Sequence, residues 1–127
     1  MKFVARLTIA LTLVSQAALA GPYQGSYRGY INGGGRDSVT TFTPQGGKML
    51  GSYYMTETQS TGTISKIKMK DNILTGVWHD QFGEGPVRFE FNSALDQFFG
   101  CWAPKKAKLK NCYGQNEWSG KRSNEAK

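Results

Sequence analysis

The sequence predicts an all-β fold, a small antiparallel up-and-down barrel or strongly curled meander of about eight strands, and three observations point there. The first is a repeat of the form apolar-x-Gly-x-aromatic, at Tyr23-Gln24-Gly25-Ser26-Tyr27, Met49-Leu50-Gly51-Ser52-Tyr53, Leu74-Thr75-Gly76-Val77-Trp78 and Phe98-Phe99-Gly100-Cys101-Trp102. Its glycines fall 26, 25 and 24 residues apart, a period that holds two strands and their turns, so the chain reads as four hairpin repeats. The second is composition: 16 glycines and 13% aromatic residues in 127, with almost no run of helical periodicity after residue 20. The third is punctuation, since Gly33-Gly34-Gly35, Gln45-Gly46-Gly47, Asp71-Asn72 and Gly83-Glu84-Gly85-Pro86 separate β-rich runs with strong turn formers.

Taken in order, residues 1–20 have the form of a cleaved export signal. Lys2 and Arg6 make a positive start, Leu7 to Val14 an apolar stretch and Ala18-Leu19-Ala20 a small-residue cleavage site. The polar Thr8, Thr12, Ser15 and Gln16 interrupt that stretch, which falls short of the roughly 20 apolar residues a membrane span needs. The remaining 21–127 form a single β domain, expected to be secreted or periplasmic, with no later segment apolar enough to be transmembrane. Strands are expected at 24–32, 38–43, 48–56, 62–70, 73–79, 86–92 and 97–103, with a last one between 108 and 119. The clearest alternation is Val87-Arg88-Phe89-Glu90-Phe91-Asn92, which puts three apolar side chains on one face and three polar ones on the other. Lys66, Lys68 and Lys70 alternate with Ser65, Ile67 and Met69 in the same way, and Ile64 breaks that rule, which suggests a bulge. Within the repeat the apolar residue, the glycine and the ring are two apart and share one face. Glycine weakens a strand interior, so its recurrence suggests that rings from neighbouring strands lie over the bare backbone.

Two architectures suit such an array: a closed barrel, which abolishes sheet edges, or an open, elongated ribbon of hairpins. The edges that an open sheet would expose in so short a chain favour closure. Gly-x-aromatic hairpins in a small exported chain resemble the avidin and lipocalin type of barrel, whose first-strand Gly-x-Trp motif corresponds to Gly25-Ser26-Tyr27, with Tyr in the place of Trp. Over residues 74–102, Leu74-Thr75-Gly76-Val77-Trp78 with Gly83-Glu84-Gly85, followed by Phe98-Phe99-Gly100-Cys101-Trp102, is also similar to the MORN repeat pattern of aromatic-x-Gly-x-Trp and then Gly-x-Gly.

Without the leader the chain keeps a net charge of +5 on 107 residues, because Lys2 and Arg6 leave and no acidic residue does. That length supports one small core and not two. Cys101 and Cys112 are the two cysteines; in an exported chain pairing is the default, and closing a loop of about 12 residues adds roughly 3 kcal/mol. With one distant His79 they do not make a tetrahedral metal site or a nucleophile pair by spacing.

No catalytic signature is present. His79 and Asp80 point to opposite faces of a strand, there is no Gly-x-Ser-x-Gly elbow and no phosphate-cradling loop before a helix. The expectation is therefore a non-enzymatic binding protein without cofactor or metal. Tyr27, Tyr53, Trp78 and Trp102 are its candidate ligand-binding residues if they wall a pocket for an apolar small molecule, although rings also simply fill narrow barrels. Lys105, Lys106, Lys108 and Lys110, held between the cysteines, are candidate anion-binding residues for a glycan or lipid head group, with nucleic acid less favoured. A solvated hairpin tip is the plainer reading of the same lysines. The alternative function is a protein-interaction module, such as an inhibitor of a secreted or periplasmic hydrolase.

Overall fold

Eight strands follow in chain order in the computed structural model, which describes residues 22–105 and 107–122. They are β1 (Gly25–Ile31), β2 (Gly35–Gln45), β3 (Lys48–Met55), β4 (Ser60–Lys70), β5 (Ile73–Asp80), β6 (Gly83–Phe91), β7 (Gln97–Trp102) and β8 (Asn116–Arg122). The expected leader and Lys106 lie outside the described residues. Each strand pairs antiparallel with the next, and β8 returns to β1 through the pairs Tyr27/Arg122 to Ile31/Trp118, closing an up-and-down barrel. An even strand number lets the closing pair be antiparallel, and closure removes every edge; the open ribbon does not form.

The period of two in each strand divides wall from core. Tyr27, Phe42, Tyr53, Ile64, Leu74, Val87, Phe89, Phe98 and Trp118 point inward and are buried, while Arg28, Ser52, Thr75, His79, Glu90, Phe99 and Glu117 between them are exposed. Glycines make room for the inward rings. Tyr53, Trp78, Phe89 and Phe98 lie directly across a strand pair from Gly62, Gly85, Gly100 and Gly120, and a Cβ at any of the four would meet that ring. Of the repeat glycines Gly100 alone lies under a ring; Gly51 and Gly76 lie against Ile64 and Gly25 against Arg122.

The β4 bulge sits between Ser65 and Lys68, where Lys66 has a φ of 54°. It lies just after Ile64, and the irregularity lets Ile64, Ile67 and Met69 all turn toward the core. Several boundaries differ from the sequence expectation: β2 extends to Gly35–Gln45 where 38–43 was expected. Gly83-Glu84-Gly85 belongs to β6 and pairs with Asp80, His79 and Trp78, leaving Gln81-Phe82 as the turn. Pro86 is tolerated because its carbonyl accepts the Ala103 N–H beyond Val87/Trp102, the end of the β6–β7 ladder, so its missing N–H would face the same finished edge. The last strand starts at Asn116, late within its expected window, and runs past 119 to Arg122, because 103–115 is an irregular excursion pinned to the outer wall by the Cys101–Cys112 disulfide.

The two barrel ends differ. At one, Arg122 donates to Gln24 O (2.6 Å), Pro22 O (3.1 Å), Leu95 O (3.0 Å) and the Tyr27 hydroxyl (2.7 Å), and its guanidinium lies 4.8 Å from the centre of the Tyr27 ring. Beneath it Tyr23, Tyr27, Phe42, Phe91 and Phe98 pack edge to face. That end is sealed. Phe89 stacked on Phe98 at 4.4 Å fills the middle.

Candidate functional site

Above Phe89 the interior opens. Trp118 projects from β8 into the interior, with its indole N–H on Thr40 Oγ1 of β2 at 2.9 Å inside the core and Tyr53 standing edge-on to it at 4.7 Å. Over this floor lies a cavity of about 200 Å³. Its wall is Ile31, Tyr53, Met55, Trp78, Trp102 and Trp118, and Asn32, Thr58, Asp80 and Phe82 stand at the rim. These residues come from the closing positions of β1, β3, β5 and β7, the opening positions of β8, and the turns between strands, so alternation along five separate strands builds one cup. All three tryptophans of the chain line it.

The polar groups of the cup are tied down. Trp78 and Trp102 meet edge to face at 5.3 Å, and their N–H groups donate to Ala103 O at 2.9 Å and Asn32 O at 3.1 Å. Tyr53 donates its hydroxyl to Asp80 Oδ2 at 2.7 Å, and Asp80 Oδ1 accepts the Phe82 N–H at 2.8 Å, which shapes the β5–β6 turn. Burial, reinforced by that hydrogen bond and by the Asp80 charge, pushes the Tyr53 hydroxyl far above the ordinary tyrosine range. Asn32 spans β1 and β8 through Asn116 Oδ1 at 2.8 Å. No buried side-chain nitrogen or oxygen among the described residues lacks a partner, so the cup is pre-formed.

Of the four ring residues singled out in the sequence, Tyr53, Trp78 and Trp102 share this cavity. Tyr27 lies at the sealed end, where burial raises its hydroxyl pKa and the Arg122 charge opposes the rise. The sequence reasoning did not single out Trp118, Met55, Ile31 and Phe82. For Trp118 there was a signal: Trp118-Ser119-Gly120 is the Gly-x-aromatic spacing reversed, within the one strand whose position was loosely set. Lys105, Lys108 and Lys110 are exposed on the disulfide-held excursion, and Lys66, Lys68 and Lys70 are exposed on β4. The excursion follows β7 and its Cys112 lies against Arg88 of β6, with β5 between β6 and β4 in the strand order. His79 is exposed on the outer wall while Asp80 turns to the cup, and no group of three or more His, Cys, Asp or Glu comes together among the described residues. A larger hollow, about 580 Å³, is a groove on the outer face beside the disulfide, lined by both Arg88 and Glu90 and Glu117.

Comparison with known protein families, curated proteins and solved structures returns no match to this chain.

Proposed function

We propose that the protein is an exported, non-enzymatic binding protein that takes a small, largely apolar molecule into the open mouth of its barrel. One observation carries this reading: the two ends of the barrel are built differently, with a guanidinium plug at one and a pre-formed aromatic cup at the other. A barrel whose rings served only to fill it would close both ends. The cup's volume, about 200 Å³, exceeds the roughly 150 Å³ of an apolar cavity that takes up benzene and lies below the range for drug-sized ligands, about 300 Å³ upward. A single ring with a short substituent is the fitting size. Phe82, 62% exposed on the rim, extends the apolar surface outward and gives an entering ligand its first contact.

The disulfide supports an oxidising compartment. No helix among the described residues is long and apolar enough to cross a membrane.

Tryptophan fluorescence tests the reading directly, because every tryptophan lines the cup. Titration with single-ring compounds gives a saturable change in emission if they enter; a flat response across a panel of such compounds withdraws the proposal. A second reading, a protein-facing module such as a hydrolase inhibitor, is favoured by Tyr113, which stands 93% exposed on the same pinned excursion as Lys105, Lys108 and Lys110. Recovery of a stoichiometric protein partner from culture medium with the wild-type chain, lost with Tyr113→Ala, supports that reading.

A further inference from the structure

We infer that the ligand of the cup is a protonated amine, with its apolar part between Trp78, Trp102 and Met55 and its ammonium group at Asp80. The inference rests on the reading of the mouth as a ligand site and adds the charge of what enters.

The first ground is electrostatic. Asp80 is the sole charged side chain among the residues lining the cavity; no Lys, Arg or His joins it. A carboxylate set half-buried in an apolar wall repels anions and rewards a cation that shares its desolvation. The second is the donor and acceptor balance. Tyr53, Trp78, Trp102 and Trp118 have one N–H or O–H proton each, and all four are spent on protein acceptors. A carboxylate or phosphate would therefore find no ring donor. Asp80 is different, because each of its oxygens receives one hydrogen bond, from Tyr53 and from Phe82, and a carboxylate oxygen accepts two. The third is the wall itself. Trp78, Trp102 and Phe82 line the cavity, and the face of an aromatic ring, where its π density lies, attracts an ammonium ion. The bonds from Tyr53 and Phe82 do not themselves require a charge at position 80, since an asparagine there supplies an acceptor for the Phe82 N–H and a donor to the Tyr53 oxygen.

Three probes of one size separate the possibilities: benzylamine, benzyl alcohol and benzoate, followed by tryptophan emission near neutral pH. The expected order is benzylamine roughly tenfold tighter than benzyl alcohol, as an ion pair with the Asp80 carboxylate replaces a contact with a neutral hydroxyl, with benzoate weakest. Added salt narrows the gap between the amine and the alcohol. Asp80→Asn brings the affinity ratio of benzylamine to benzyl alcohol down from roughly tenfold to near one. Equal binding of amine and alcohol by the wild-type protein overturns this inference and leaves the cavity reading standing, whatever the variant does. An Asp80→Asn protein that folds and keeps the amine preference overturns it too. Silence from all three probes removes both.

Discussion

At the scale of single residues, the physics of this barrel is a question of which side chain may stand opposite which ring. Gly62 faces Tyr53 across β3 and β4, and a Cβ there would run into the ring and hydroxyl of Tyr53. Gly62→Ala is expected to cost about 2 kcal/mol through overpacking, read from urea unfolding midpoints. Gly46→Ala is the control: nothing lies within 4 Å of its Cβ, and its φ of 60° costs about 1 kcal/mol through backbone alone. Equal costs at the two sites would show that ring crowding is not what requires glycine. Tyr53 also sets an alkaline limit. Its hydroxyl titrates higher in the folded chain than in the unfolded one, so above about pH 10 the unfolded chain releases a proton that the native one keeps. Stability is therefore complete below that pH and falls as pH rises, by about 1.4 kcal/mol per pH unit for this one group. Tyr53→Phe flattens the decline, measured as the pH dependence of the unfolding midpoint; an unchanged slope would assign the decline to other groups.

At the scale of elements, the excursion between β7 and β8 depends on its covalent staple. Cys101 points outward from β7 and is nevertheless wholly buried, because the segment ending at Cys112 folds over it. Replacing both cysteines with alanine is expected to lower stability by roughly 3 kcal/mol, seen as a lower denaturation midpoint, with an m-value no smaller than that of the cross-linked chain because the unfolded state loses its constraint. Most strands were legible in the sequence for a plain reason: Val87 to Phe91 alternate, and so does the Gly-x-aromatic repeat, which keeps ring and glycine on one face. What was not legible followed from pairing across strands. Gly83-Glu84-Gly85 carries every local mark of a turn, yet Gly85 is a strand residue because Trp78 needs bare backbone opposite it. Trp118 was hidden because its strand follows an irregular segment whose length no local pattern sets. The cup was half legible. Tyr53, Trp78 and Trp102 carry the repeat, but Tyr27 carries it too and goes to the other end, since the staggered strands lift equivalent repeat positions to different heights in the barrel. Asp80 drew attention as a neighbour of His79; its position at the end of β5, two residues past the inward Trp78, is what turns it to the mouth.

At the scale of the whole molecule, the barrel is a tube with one end locked, and the lock and the mouth are separate devices. Arg122 is the lock. Its pairing with Tyr27 closes the seam between β8 and β1, and its guanidinium gathers the carbonyls of Pro22 and Gln24 from the segment before β1 and of Leu95 from the β6–β7 connection. A lysine has one point of charge and no planar fork, so it cannot hold three carbonyls and a hydroxyl in that geometry. Arg122→Ala is expected to cost about 3 kcal/mol, because Tyr27 and the carbonyls lose charge-assisted partners together, and Arg122→Lys to recover less than half of that. The mouth lies beyond Phe98, Phe89 and Trp118, which fill the interior between the two ends. Perturbations at opposite ends share no partner and should add to within about 0.5 kcal/mol. The double variant Arg122→Ala with Trp102→Ala tests this in thermal and urea unfolding, and probe titration of Arg122→Ala tests it a second way: affinity at the cup stays near the wild-type value at temperatures where the variant is folded. A large non-additive term, or an emptied cup in Arg122→Ala, would mean that the packed middle transmits strain from lock to mouth, and the barrel would then have to be treated as one coupled device.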